Sequence, residues 1–335
     1  MKQKTVLSIT TNLSRYGGAQ KVLLEVHNGL KSNYSAQIIG FQRYEDLHPG
    51  YAIKQEEYRR LINPLELNDK ILLVHARNVL SLVVSLKKTL FLNTTIIYIA
   101  HNVYSTHRVL TFFPDIIVSI SNRVTENLLT YFKVKNKSIH LIYNGLHDSA
   151  DVRNITHSYS FQAIKILYAA RITSVKRQLE LVENLKGKLD PRITINFAGT
   201  GEDFDQLAAA CGQTHNFSAL GFIDNMAALI AEHDYLMLYS TQEGLPLSLI
   251  EGACQSKPLL VNDVGGNLEI GVLGYNGIQL NEDINQLARQ LNELPAISRE
   301  QYYNYSDNSR KVYEEKFTYS KMIDNYSKLI DSLID

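Results

Sequence analysis

Thr241-Gln242-Glu243-Gly244-Leu245-Pro246-Leu247-Ser248-Leu249-Ile250-Glu251 sets two carboxylates eight positions apart, around a Gly-x-Pro helix start and an apolar run. Pro246 suits the first helical turn, where its missing N–H leaves no bond unmade. The spacing predicts Glu243 in the loop at the mouth of the helix and Glu251 about two turns inside it. Between the carboxylates, the free N–H groups of the first turn and the helix dipole favour a phosphate. An isolated pair of this kind also describes an acidic loop before an ordinary amphipathic helix. The flanking sequence separates the two readings. Asp234–Ser240 is an apolar strand running into the Glu243 loop, and Lys257–Asn262 is another, followed by the glycine turn Asp263-Val264-Gly265-Gly266-Asn267. A strand–loop–helix–strand unit puts Glu243 at the carboxyl end of a strand, where open α/β sheets bind ligands.

The alternation continues outward in both directions. Thr5–Thr10, Ala36–Phe41, Ile71–His75, Thr95–Ala100, Asp115–Ser119 and Ser138–Tyr143 read as strands. Helices fall between them: one opened by Gly17-Gly18-Ala19-Gln20, then Val79–Leu90 and Asn122–Tyr131. The second half starts again with the strands Lys165–Ala170 and Arg192–Ala198 and the helices Gln178–Leu185, Phe204–Ala210 and Ile284–Leu294. Tyr319–Leu333 is a last helix with an apolar stripe of Met322, Ile323, Tyr326, Leu329 and Ile330. Strand alternating with helix implies parallel sheets covered on both faces. The polar, aperiodic segment His147–Ser160 reads as an interdomain linker.

With 335 residues, two domains are the default. No apolar run reaches the ~18–20 residues that span a bilayer, and Met1–Thr10 reads as a strand and not as a signal peptide. Cys211 and Cys254 are the two cysteines, too few and too far apart for a zinc site, so a reduced, cytoplasmic protein is expected. The zero net charge hides an asymmetry. Residues 1–155 carry 19 Lys+Arg against 11 Asp+Glu, and the remainder 15 against 23. A basic first half suits an anionic partner such as a phospholipid surface or a lipid-phosphate acceptor.

The segment "STQEGLPLSLIEGACQSKPLLVNDVGGNLEI", Ser240 to Ile270, resembles the signature of retaining glycosyltransferases of family 4 (glycosyl transferases group 1). The resemblance implies the GT-B architecture: two Rossmann-like parallel-sheet domains facing a cleft. Residues 1–150 would form the acceptor-side domain and 161–315 the nucleotide-sugar-binding domain, with 316–335 a helix crossing back to the first. It further implies that Arg171 and Lys176, in the loop after the Lys165–Ala170 strand, hold the donor diphosphate, so that transfer needs no metal. Glu243 would contact the sugar near its anomeric centre, and Glu251 the ribose hydroxyls. Gly244, Leu245, Pro246 and Leu247 would surround sugar and phosphates with backbone, and Phe222 and Ile223 would border the nucleobase. "RYGGAQKVLLEVHNGL" is similar to the family's first-domain glycine loop, which places Gly17 and Gly18 toward the donor phosphates or the acceptor. His101, after the Thr95–Ala100 strand, would position and stabilise charge near the transferred sugar.

Some positions depart from the family pattern. Ser256 stands where glycine is usual and Leu268 where proline is frequent, which bears on loop geometry. His75 fills a family-like place, yet Arg77 stands where a second histidine is common; that leaves His75 in support and makes Arg77 an acceptor-contact candidate. The implied function is retaining transfer of a sugar from a nucleotide-diphosphate sugar to a glycan or lipid-linked acceptor in cell-surface polysaccharide synthesis. A UDP-sugar is the expected donor, no further cofactor is needed, and nucleic acid is not a partner. Ser81–Leu92 suits either transient contact with the inner membrane surface or a buried helix with two exposed lysines. The competing readings are a nucleotide-sugar epimerase or a sugar phosphorylase on the same fold, and a non-catalytic scaffold.

Overall fold

A computed structural model describes residues 5–14, 17–135, 137–149 and 159–333. The chain divides into two compact units: Met1–Gly145 with Tyr319–Asp335, and Leu146–Thr318. Most of the expected linker, residues 150–158, lies outside the described residues, as do Arg15 and Tyr16 just before Gly17.

The first unit is built on β1 (Thr5–Ile9), β2 (Ser35–Gly40), β3 (Tyr58–Arg60), β4 (Ile71–Val74), β5 (Thr95–Ala100), β6 (Ile116–Ser119) and β7 (Ser138–Leu141). They pair in parallel in the order β3-β2-β1-β4-β5-β6-β7. The helices α1 (Gly18–Leu30), α2 (Arg77–Thr89) and α3 (Asn122–Thr130) connect them. The central strands are apolar at nearly every position, as Ile71–Val74 shows, because both faces of a parallel sheet are covered.

The second unit holds β8 (Ile164–Ala169), α4 (Gln178–Leu185), β9 (Ile193–Ala198), α5 (Phe204–Cys211), β10 (Phe217–Gly221), α6 (Met226–Ala231), β11 (Tyr235–Leu238), α7 (Leu247–Cys254), β12 (Leu259–Val261), α8 (Asn267–Ile270), β13 (Gly277–Gln279), α9 (Ile284–Glu293) and α10 (Arg299–Lys316). Its sheet runs β10-β9-β8-β11-β12-β13, parallel throughout. The final helix, α11 (Tyr319–Asp331), belongs to the first unit. Its stripe of Met322, Ile323, Tyr326, Leu329 and Ile330 is buried. Close approach to α1 depends on Gly29, where a Cβ would come within 2.4 Å of Ile323.

The sequence reading omits β3, β10, β13, α6, α8 and α10. The long helix α10 escapes it for a physical reason. Its inward face carries Tyr302, Ser306, Ser309, Val312 and Tyr313, so no aliphatic stripe marks it. Hydrogen bonds replace that stripe: Ser306 Oγ donates to Ser256 O (2.5 Å) and Ser309 Oγ to Lys257 O (2.7 Å). Among the described residues, no helix is long and apolar enough to cross a membrane.

Candidate functional site

Each sheet has a point where the chain leaves one strand toward one neighbour and later returns on the other side. In the second unit this point lies between β8 and β11, since β9 flanks β8 on its far side. Ligands of open α/β folds bind in the crevice beyond such neighbouring strand ends. The loops that occupy this place are Ala170–Arg177, after β8, and Tyr239–Pro246, after β11.

Those two loops are laced together. Thr241 N–H donates to Val175 O (2.8 Å), and Tyr239 N–H donates to Tyr168 Oη (3.1 Å). The Tyr168 hydroxyl in turn donates to Lys176 O. Across the loops, Lys176 Nζ forms an ion pair with Glu243 Oε1. Glu243 is almost fully buried, at 7% exposure, and a buried carboxylate needs such a partner. Arg171 lies in the same loop as Lys176, exposed, with its carbonyl accepting from Gln178 Nε2 (3.0 Å).

A second layer of backbone fixes these loops. Gly199 has φ +138°, and a Cβ there would come within 2.1 Å of Ala170 O; one on Gly201 would meet Ile172 O at 2.0 Å. Glycine at both places lets the β9 loop press on the Arg171 loop. Gly265 (φ +55°) does the same for Glu243, whose carbonyl oxygen would lie 2.3 Å from an added Cβ. Gly266 N–H donates to Gly244 O (2.8 Å). The Asn262 amide holds the exit of β11, donating to Ser240 O (2.7 Å) and to Glu282 Oε1 (2.8 Å).

Helix α7 then starts one residue later than the sequence predicts. Pro246 is its N-cap, extended at φ −74°, and no side chain caps this end. Its first-turn N–H groups are therefore left to solvent or a ligand. Leu245 is buried, Leu247 is the first helical residue, and Glu251 is the fifth, a little over one turn inside instead of two. Phe222 and Ile223 follow β10 at the same rim of the sheet, two strands from β8; Phe222 is exposed.

In the first unit the corresponding point lies between β1 and β4. A cavity of about 270 Å³ opens there, touched by the residues that directly follow β1, β4 and β5: Thr10, His75 and His101. His75 Nδ1 and His101 Nε2 are 3.0 Å apart, with the rings stacked at 5.2 Å between centroids. Burial pushes His101 down to about 4, and burial with the neighbouring imidazole holds His75 well below its ordinary value. Both rings are therefore neutral near pH 7, one donating its N–H to the other. His75 thus stands in support of His101, as the sequence reading has it, orienting its ring through this hydrogen bond.

Gly17 and Gly18 are not brought into this cavity, whose lining from that loop is Ala19 and Gln20. Gly17 is extended, at φ −166°, and its N–H donates to Tyr51 Oη (3.1 Å). A Cβ there would lie 2.7 Å from Gln20 Oε1, the end of a flexible side chain that can swing away, so space alone does not demand glycine. Sequence reading also misses Tyr168, Asn262 and Gly199 as supports, and Asp203-Phe204-Asp205, an Asp-x-Asp at the start of α5. Among the described residues, no group of three or more His, Cys, Asp or Glu side chains is placed to hold a metal.

Two parallel-sheet α/β units of this kind define the GT-B fold of glycosyltransferases, and solved structures bear this out. The structure of Anabaena Alr3699/HepE in complex with UDP aligns with TM-score 0.81 at 15% identity, covering 98% of this chain and all of that one. A glycosyltransferase from Rickettsia africae aligns over the whole of both chains, with TM-score 0.82 at 18% identity. Residues 160–312 match the family described as glycosyl transferases group 1. The O-antigen biosynthesis glycosyltransferase WbnH of Escherichia coli is 26% identical over 225 residues, 67% of this chain and 61% of that protein. The capsular polysaccharide biosynthesis glycosyltransferase CapH of Staphylococcus aureus is 26% identical over 166 residues, 47% of this chain and 45% of its own length. The match thus spans about three-fifths or less of these relatives.

Proposed function

We propose that this chain is a retaining, family 4 glycosyltransferase that moves a sugar from a nucleotide-diphosphate sugar, a UDP-sugar in the first instance, to a growing surface polysaccharide. The observation that carries the reading is the meeting of Lys176 and Glu243 beside the uncapped end of α7, at the switch point of the second unit. A departing nucleoside diphosphate develops charge on its phosphate oxygens. Arg171, Lys176 and the backbone N–H groups of α7 are the donors that would stabilise it without a metal. In this reading Glu243 faces the carbon that gains positive charge, Glu251 binds the ribose, and Phe222 and Ile223 border the base. His101, neutral and oriented by His75, hydrogen-bonds the sugar. With no second nucleophile assigned, the acceptor attacks from the side the phosphate leaves, and that phosphate takes its proton.

The names of WbnH and CapH, in O-antigen and capsular polysaccharide synthesis, and the UDP bound to the Anabaena neighbour support this assignment. A lipid-linked acceptor is supported by one surface of the first unit. Helix α2 buries Val79, Leu80, Val83 and Val84 but leaves Leu82 out, and Ser81 Oγ pins the loop after β5 through Leu110 O (2.7 Å) and Phe112 N (3.0 Å). Val109, at 85% exposure, Leu110 and Phe112 stand out from that loop, with Arg108 in the same loop and Lys87 and Lys88 in the last turn of α2. Exposed apolar groups with cations on the same helix and loop suit an anionic lipid surface, hence peripheral contact by an otherwise cytoplasmic enzyme.

Thermal stabilisation by UDP-, GDP- and ADP-sugars tests the reading, with Lys176→Ala and Glu251→Ala as controls. A shift for one donor that both variants lose supports it. Absence of a shift for every donor, with and without divalent metal, would count against it. Proton NMR of the product then reads the anomeric configuration.

A further inference from the structure

Among the described residues, the cavity at the end of β1, β4 and β5 is lined by groups without charge, with one exception. Thr11, Gln20, Asn78 and Asn102 are neutral amides and hydroxyls, and the two histidines are kept neutral by burial. Among the described residues, no carboxylate lines it. The exception is Arg77, the first residue of α2.

Arg77 is held in place by contacts that leave its charge unanswered. Its guanidinium carbon lies 3.9 Å from the centroid of the Tyr104 ring, and one terminal nitrogen donates to Thr106 O (2.6 Å). Stacking on a ring and one bond to a carbonyl fix the plane of the fork while using one of its five N–H donors. Among the described residues it has no carboxylate partner, unlike Arg177, which is paired with Glu180 and Glu282. The end of α2 beside it has no side-chain cap. A partly buried, orientated guanidinium without a counter-ion is a planar recognition site for an anion.

From these observations we infer that the first-unit cavity is the acceptor subsite for a sugar bearing an anionic group, a carboxylate or a phosphate ester, which Arg77 grips. The neutral amides and hydroxyls around it take the ring hydroxyls. This assignment rests on the transferase reading for the word acceptor. The anion preference itself does not.

The test uses the full chain and four small probes: methyl α-D-glucuronide, α-D-glucose 1-phosphate, methyl α-D-glucoside and inorganic phosphate. Binding is measured calorimetrically at low salt for the wild type, Arg77→Met and Arg77→Lys, with UDP-induced thermal stabilisation followed in parallel. The expected result is that the glucuronide, the sugar phosphate or both bind at least tenfold tighter than the glucoside and than free phosphate. Whichever binds names the anion. Arg77→Met should erase that preference, Arg77→Lys restore part of it, and UDP stabilisation stay unchanged in both. Equal binding of charged and neutral sugars, no binding of any, or a preference that survives in Arg77→Met would overturn the inference. If UDP fails to stabilise any form while the anionic sugar still binds through Arg77, the transferase reading falls and the anion site stands.

Discussion

Lys176 and Glu243, 67 positions apart in the chain, meet as an ion pair between the loops that follow β8 and β11. One is the cation proposed for the leaving phosphate, the other the carboxylate proposed for the anomeric centre. Here each answers the other's charge; in the proposed reading, donor binding gives both new partners. Glu243→Gln keeps size and hydrogen bonding but removes the charge. It is expected to lower kcat by about 100-fold or more while UDP affinity stays within a few-fold, the pattern of an interaction made in the transition state. Lys176→Ala should weaken UDP binding itself. It should also lower stability by about 2 kcal/mol, because Glu243 is left buried without its partner. Calorimetry and steady-state kinetics on the two variants separate these effects.

Gly265 supplies a stricter check on how Glu243 is held. Its φ is +55°, and a Cβ added there would sit 2.3 Å from Glu243 O, so any side chain meets backbone, which cannot swing away. Gly265→Ala is expected to cost about 2 kcal/mol or more in a denaturant titration and to reduce turnover along with it. Turnover that holds at the wild-type level would show that the Glu243 loop has slack.

How far these features are legible in the sequence follows from the kind of force behind each. The Glu243–Glu251 segment is legible because Pro246, the apolar run and the flanking strands all act locally, within a few residues. The parallel sheets are legible because burial on both faces leaves near-continuous apolar runs such as Ile71–Val74. Helix α10 is not, since serines and tyrosines hydrogen-bonded to distant carbonyls take the place of an aliphatic stripe. Nor can the sequence show that Gly17 spends its N–H on Tyr51, or that Arg77 lies on Tyr104, because those partners lie 34 and 27 positions away. Gly265 reads as a turn, but its close approach to Glu243 is a tertiary fact.

The paired imidazoles carry a pH signature. His101, pushed down to about 4, and His75, also lowered, remain neutral in the folded protein while the unfolded chain takes up protons below about 6.5. The unfolded state then binds more protons, so stability falls as pH drops below about 6.5, and the His101 part of the loss levels off below about 4. For His101 alone the loss is about 3 kcal/mol. His101→Gln should flatten this part of the profile relative to wild type, and guanidinium titrations between pH 4 and 7 measure it. An unchanged slope would mean that His101 titrates as it does in the unfolded chain.

Lys257 gives a second slope on the alkaline side, far from the proposed chemistry. It is fully buried, and its Nζ donates to Ala231 O (3.1 Å) and His233 O (2.6 Å) at the end of α6. Burial lowers it to about 7, a shift that the nearby Asp234 charge only partly opposes. A neutral amine still carries two N–H bonds, enough for both carbonyls. Between about pH 7 and 10.5 the folded protein therefore holds fewer protons at this position than the unfolded chain, and stability rises with pH by up to about 5 kcal/mol across that window. Below pH 7 both states are protonated and the contribution is flat. Lys257→Met removes the titrating group, so the difference between variant and wild type isolates its slope from that of the tyrosines. The expected outcome is a variant whose stability rises less steeply between pH 7 and 10; parallel curves would place the Lys257 ammonium charged in the folded core throughout.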